Sequence, residues 1–306
     1  MTTETVELNK EAAVQSLTDT LAKFTAYIGK RLPKDVKKKL EELRTLETNP
    51  LAKSVYDSMH SNQDAADKLN RPSCQDTGVI QYFVEAGAKF PLLGELEEVL
   101  KDALAEATRL GPLRHNAVET FDEKNTGTNT GTQIPWLDWR IVPEKDTCTI
   151  DVYMAGGGCT LPGAAKVLMP GQGYEGVAEF VMDVITERGV NACPPLLVGV
   201  GVSTSVETAA RLSKLAILRP VDSKSTNDRA ALMEELLEQG LNEVGIGPQG
   251  LTGNNSVMGV NIESSARHPS TIGVAVNTGC WAHRRGKIRI NPDMSYEILS
   301  HEGVTL

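Results

Sequence analysis

Asn191-Ala192-Cys193-Pro194-Pro195-Leu196-Leu197-Val198-Gly199-Val200-Gly201-Val202-Ser203-Thr204 is the stretch from which the fold reads outward. Two prolines fix the backbone just after Cys193 and remove donors there. They either present a ligand at a strand entrance or close a turn around a buried cysteine. The apolar run Leu196 to Val200, bounded by proline and glycine, reads as a buried strand. Gly199-Val200-Gly201-Val202-Ser203-Thr204 then opens a helix. It starts like a dinucleotide fingerprint, but Thr204 stands where the third glycine belongs, so nicotinamide binding is set aside. Ser203 and Thr204 are read instead as helix caps, with Glu207 supporting the first turn.

The same strand-and-helix grammar extends both ways. Downstream come a helix over Asn227 to Gln239, the glycine-rich loop Gly245 to Gly253, and strands over Val257 to Glu263 and Thr271 to Asn277. Upstream, strands are expected over Val79 to Val84, Trp136 to Val142 and Thr147 to Met154. Helices are expected from about Leu93 to Arg109, stopped by Gly111-Pro112, and from about Glu175 to Arg188. Cys148, Ile150 and Val152 alternate along one strand, which puts Cys148 on its apolar face as core packing. From about Val6 to Asn70, apolar residues such as Val14, Leu17, Leu21, Phe24 and Ile28 recur at helical spacing, and Pro33 and Pro50 divide the run into three helices. Lys34 to Lys39 is followed by Glu41, Glu42 and Glu47, the pattern of a solvated helical face. The expectation is one α/β domain over residues 1–306. It has mixed sheets with surrounding helices, an N-terminal helical segment over residues 1–70, and functional residues on loops.

Composition narrows the partners. The chain has 306 residues, 40% of them hydrophobic, and a formal net charge of −9. That balance excludes a nucleic-acid surface and a polybasic membrane patch. No apolar run approaches the roughly 20 residues a bilayer requires, and Met1 to Thr5 lacks the basic start of a secretion signal. A cytoplasmic protein is expected. The five cysteines, Cys74, Cys148, Cys159, Cys193 and Cys280, are odd in number and form no C-x-x-C pair, so reduced thiols are expected in place of a disulfide framework.

Chemistry-bearing residues gather in a few places. Ser73-Cys74-Gln75-Asp76-Thr77-Gly78 sets a soft metal ligand beside an amide, a carboxylate and a hydroxyl. Arg114-His115-Asn116 suits carboxylate and hydroxyl groups, or simply decorates a helix C-terminus. Asn125 to Gly131 is wholly polar and reads as mobile or ligand-facing surface. In Ala155-Gly156-Gly157-Gly158-Cys159-Thr160-Leu161-Pro162-Gly163, adjacent glycines let backbone N–H groups approach an anion or a cluster. Thr278-Gly279-Cys280-Trp281-Ala282-His283-Arg284-Arg285 ends a strand with a cysteine among polar and cationic groups, which suits the rim of a site.

Cys74 in Ser-Cys-Gln-Asp-Thr-Gly, Cys193 in Asn-Ala-Cys-Pro-Pro and Cys280 in Thr-Gly-Cys-Trp-Ala-His-Arg-Arg, with Met154 to Pro170 and Gly245 to Gly253, resemble the iron–sulfur class I fumarase family. The resemblance runs from the N-terminal helices to the last strand. It implies a [4Fe–4S] cluster on Cys74, Cys193 and Cys280. It also implies that Gln75, Asp76, Arg114 and the backbone at Gly157 contact a bound dicarboxylate, with Asp76 handling the proton at the hydroxyl. A cluster on three thiolates keeps one iron open for substrate, whereas four suit electron transfer. The implied reaction is dehydration of a small hydroxy-dicarboxylate, with tartrate expected ahead of malate or fumarate. In the family the base and further cationic clamps lie in a second domain, so a separately encoded β subunit in an α2β2 heteromer is expected. The competing classes are a non-catalytic iron–sulfur redox subunit and a zinc-binding subunit. Only three well-motivated ligands and the polar surroundings of Cys74 argue against the first, and the second would leave Gln75 and Asp76 idle.

Overall fold

The computed structural model describes residues 10–306; Met1 to Thr5 and the onset of helical periodicity at Val6 lie outside the described residues. The expected helices form at Lys10–Lys30, Lys34–Leu46 and Pro50–Leu69. Leu17, Leu21, Phe24 and Ile28 are buried along one stripe of the first. Pro50 opens the third, where a missing N–H costs nothing, and Asn49 Oδ1 accepts the Leu51 N–H at 2.9 Å. No helix of the described residues is long and apolar enough to cross a membrane.

The chain divides into two compact units. The first comprises residues 10–33, Ala66–Met154 and Arg284–Leu306; the second comprises Lys34–Ala65 and Ala155–His283. The N-terminal helical segment is therefore shared between units. Long-range polar ties attach its middle part to the second: the Val221 N–H donates to Asp35 Oδ2 at 2.8 Å, and the Asn254 N–H to Glu47 Oε2 at 3.0 Å.

In the first unit a 5-stranded sheet runs in the spatial order Tyr296–Ile298, Arg285–Ile290, Cys148–Ala155, Val79–Gly87 and Trp136–Val142. Arg285–Ile290 pairs antiparallel with Cys148–Ala155, and Val79–Gly87 pairs parallel with Trp136–Val142. Leu17 and Phe24 of the first helix, Leu100 and Leu104 of the helix Leu96–Leu110, and Ile80, Ile150 and Ile288 of the sheet share one core. The strands Arg285–Ile290 and Tyr296–Ile298 escape sequence reading. Arg-Gly-Lys-Ile-Arg-Ile carries too many charges for a buried pattern, and its place inside the sheet comes from its hydrogen-bonding partners.

In the second unit a 4-stranded sheet runs in the order Ala164–Leu168, Ile272–Gly279, Leu196–Ser203 and Val257–Ser264. Ile272–Gly279 is antiparallel to both its neighbours, and Leu196–Ser203 is parallel to Val257–Ser264 through the helices Val206–Leu218 and Asp228–Glu243. The Glu234 carboxylate fastens the second of these helices to its strand, accepting the Ile262 N–H at 2.7 Å and the Ser225 N–H at 2.8 Å and pairing with Arg219 at 2.9 Å.

The strand-to-helix junction corrects the expected caps. Ser203 still belongs to the strand and bonds Ser265 Oγ at 2.6 Å, while Thr204 Oγ1 accepts the His268 N–H at 3.0 Å. Ser205 caps the helix, with its N–H directed to Thr208 Oγ1 at 3.4 Å and its hydroxyl to Glu207 at 2.6 Å. Gly199 and Gly201 serve helix packing. A Cβ on Gly201 would lie 1.9 Å from the Ala209 carbonyl oxygen, and one on Gly199 2.3 Å from that of Ser213. Gly201→Ala is therefore expected to cost about 1–3 kcal/mol through forced separation of helix and strand. Denaturant unfolding measures it, and an unchanged midpoint would contradict this packing role.

Candidate functional site

Cys74, Gln75, Asp76 and Arg114 are brought together in the first unit. Ser73 to Gly78 is a bent segment that leads into the strand Val79–Gly87, and Arg114 follows the helix Leu96–Leu110. Buried Thr77 links the two: the Arg114 N–H donates to its Oγ1 at 3.0 Å. Asp76 Oδ1 accepts the Gly78 N–H at 3.0 Å and Asn116 Nδ2–H at 3.3 Å, and Asn116 also donates to the Gly78 carbonyl at 3.2 Å. Arg284, almost fully buried, donates from its guanidinium to the Asp76 carbonyl at 2.6 Å. Backbone and carboxylate of Asp76 are thus both held, while the Gln75 and Arg114 side chains remain exposed.

Asn129 is the keystone beneath this arrangement. It lies in the polar stretch expected to be mobile or ligand-facing, yet it is buried, with φ +58°. Its Oδ1 accepts the Asn116 N–H at 2.6 Å, and its Nδ2 donates to the Arg114 carbonyl at 2.9 Å and to Thr108 Oγ1 at 3.1 Å. Asparagine tolerates the left-handed backbone better than most residues and satisfies three internal groups at once. Sequence reading missed Thr77, Asn116, Asn129 and Arg284 as supports. Adjacency to Asp76 and Arg114 was the available signal for the first two, and none existed for Asn129.

Gly157, Cys193 and Cys280 belong to the second unit. Cys193 follows the 3₁₀ turn Gly189–Ala192 and precedes the strand Leu196–Ser203; Cys280 follows the strand Ile272–Gly279. These strands are antiparallel, with Leu197 opposite Gly279, so the entrance of one lies beside the exit of the other. The Trp281 N–H closes the gap by donating to the Cys193 carbonyl at 3.2 Å. Cys193 is exposed and holds φ +55°, a strained conformation for a residue that precedes proline. Pro194 is clasped from the glycine-rich loop, its carbonyl accepting the Gln249 N–H at 3.0 Å. Gly157 begins a one-turn helix, Gly157–Thr160, that the sequence reading did not foresee. Thr278 Oγ1 donates to the Cys159 carbonyl at 2.6 Å, tying this turn to the strand that leads to Cys280.

The cysteines separate into two kinds. Cys74 and Cys280 are half-buried and Cys193 is exposed, all three outside helices and strands, whereas Cys148 and Cys159 are buried. Cys159 directs its thiol to the Gly156 carbonyl at 3.2 Å. Burial, with a smaller contribution from the charge of Glu85, pushes the Cys148 thiol up to about 12. Three accessible soft donors on loops fit a thiolate-held iron–sulfur group, and the two buried thiols do not. Among the described residues no three His, Cys, Asp or Glu side chains converge on a position for a single metal ion.

A restrained carboxylate and an exposed guanidinium in the first unit are groups of the kind an enzyme uses on a small oxygen-rich anion. The comparisons make that class specific. The family model described as fumarate hydratase (Fumerase) matches residues 18–289. L(+)-tartrate dehydratase subunit alpha of Escherichia coli strain K12 is 61% identical over 295 residues, 96% of this chain and 97% of its own. The same-named protein of Escherichia coli strain UTI89 is also 61% identical, over 96% of this chain and 97% of its own. A Methanocaldococcus jannaschii protein is 32% identical over 266 residues, 86% of this chain and 93% of its own. The chain belongs to the fumarate hydratase family.

Two outcomes follow from the geometry. Asn129→Ala is expected to cost about 1–3 kcal/mol by stripping partners from buried groups. Hydrogen exchange should show faster exchange at the Asn116 amide, whose acceptor is removed, and an unchanged rate would contradict the keystone role. In metal-free protein at pH 8, mass spectrometry after alkylation should find Cys74, Cys193 and Cys280 modified and Cys148 intact, since a thiol titrating near 12 is almost wholly protonated there.

Proposed function

We propose that this chain is the α subunit of a hydro-lyase that dehydrates L(+)-tartrate to oxaloacetate and water. The observation that carries the reading is 61% identity, over 96% of this chain, to proteins named as that subunit. In this reading residues 1–306 act as one functional domain, with Cys74, Cys193 and Cys280 holding a [4Fe–4S] cluster. When bound, the cluster supplies an open iron, a Lewis acid for the departing hydroxyl.

The chain's own residues do the rest of the work on this side of the substrate. Arg114 pairs with a substrate carboxylate through its planar fork, and its backbone is held by Thr77 and Asn129. Gln75 and the backbone at Gly157 orient the substrate's remaining oxygens. Asp76 moves the proton at the departing hydroxyl, and its contacts to Gly78, Asn116 and Arg284 keep that carboxylate in place while it does so. The base for the neighbouring carbon and further cationic clamps come from a β subunit, in keeping with the name of the relatives. The complex is α2β2, and an enzyme that keeps its thiols reduced for a cluster works in the cytoplasm.

The family model's description supports a second substrate reading, fumarate and malate. Turnover by the complete complex separates the two, with kcat/KM expected to be highest for L(+)-tartrate; preference for fumarate overturns the choice. Iron and acid-labile sulfide assays on protein purified without oxygen, with EPR before and after tartrate, test the cluster. Arg114→Lys is expected to lower kcat/KM by about 10- to 100-fold while leaving iron content unchanged. Full activity of the chain without its partner would contradict the subunit reading.

A further inference from the structure

Trp136–Val142 is the edge strand of the first unit's sheet, hydrogen-bonded to Val79–Gly87 on its inner side. The register sets Leu137, Trp139 and Ile141 opposite Tyr82, Val84 and Ala86, which are buried in the core. Yet Trp139 is 38% exposed and Ile141 49% exposed, and on the other face Trp136 is 55% exposed. Among the described residues, the core-facing side of the sheet therefore runs out uncovered at this strand. A long apolar edge is a template for another chain, and natural proteins rarely leave one bare.

The order of residues along the strand says which chain covers it. Read outward from Trp139, Trp136-Leu137-Asp138-Trp139-Arg140-Ile141-Val142 is symmetric in apolar character and antisymmetric in charge. An identical strand laid antiparallel about a two-fold axis at Trp139 sets Trp139 against itself, Leu137 against Ile141, Trp136 against Val142 and Asp138 against Arg140. Every opposed pair is then apolar with apolar or acid with base, and symmetry repeats each heterologous pair. Registers centred on Asp138 or on Arg140 set a charge against its own kind, so the pattern also selects the alignment. Arg140 already pairs with Glu85 at 3.1 Å, and its fork of donors serves a second carboxylate from the neighbouring copy. A two-fold contact consumes both edges and closes, which prevents open-ended stacking.

We propose that Trp136–Val142 is a self-association surface that pairs antiparallel with the same strand of a second copy of this chain about an axis at Trp139. The surface is independent of the reaction assigned above and of the residues that perform it.

Sedimentation velocity on the full chain, alone and with its β subunit, tests the proposal. The unaltered chain should sediment as a dimer. Asp138→Arg and Arg140→Asp should each weaken the dimer about tenfold or more, because each sets like charges together twice. An equimolar mixture of the two variants should recover a dimer, since every opposed charge is then complementary again. In Arg140→Asp, Glu85 keeps Lys145 as a partner at 3.2 Å. If that variant does not fold, Trp139→Cys supplies an independent arm, for opposed residues of an antiparallel pair lie within disulfide reach and mild oxidation should link two copies through this position. A monomeric unaltered chain, a dimer indifferent to both reversals, or reversals that weaken only binding of the β subunit would each overturn it.

Discussion

The antiparallel pairing of Leu196–Ser203 with Ile272–Gly279 is the constraint on which the placement of Cys193 and Cys280 depends. Antiparallel strands put the beginning of one beside the end of the other, so two cysteines far apart in sequence arrive at the same end of one sheet. The pairing in turn needs a helix seated closely on the strand, which Gly199 and Gly201 permit by having no side chain. Hydrogen bonds then lock what the sheet has juxtaposed. The Trp281 N–H meets the Cys193 carbonyl, and Gln249 meets Pro194 from a loop whose neighbour Asn254 is fixed by buried Glu47. A strained backbone at Cys193 persists because its surroundings over-determine it.

The first unit solves the same positioning problem with polar side chains. Thr77, Asn116 and Asn129 are short, carry little rotamer entropy and satisfy one another's donors and acceptors, so the loop that bears Arg114 is rigid although it lies outside helix and strand. The long side chains of Gln75 and Arg114 meet solvent. Short bonded side chains thus fix the backbone from which the long exposed ones project.

Much of this was legible beforehand because it is local. Pro33 and Pro50 divide the N-terminal helices, alternation over Thr147 to Met154 marks the strand found at Cys148–Ala155, and Cys148 falls on the apolar face as alternation demands. Locally, Cys74 and Cys193 suit core packing as well as ligation, and it is the resemblance to the iron–sulfur class I fumarase family that singles out Cys74, Cys193 and Cys280 as candidates. Other features were hidden for equally physical reasons. Arg285–Ile290 has the composition of an exposed segment and becomes an inner strand through its partners, while Asn129 sits in a stretch whose polarity implied surface. Ser203 and Thr204 have the right chemistry for caps, but the strand continues through Ser203 and leaves that role to Ser205.

The sequence by itself determined most of the helices and strands and the core place of Cys148, since periodicity, turn residues and side-chain type act over a few neighbours. Only the tertiary structure decided that the N-terminal helices are divided between two units, that Asn129 holds Arg114, and that Cys193 and Cys280 share one end of a sheet. Those facts rest on hydrogen bonds between residues distant along the chain, and no local pattern encodes which donor meets which acceptor.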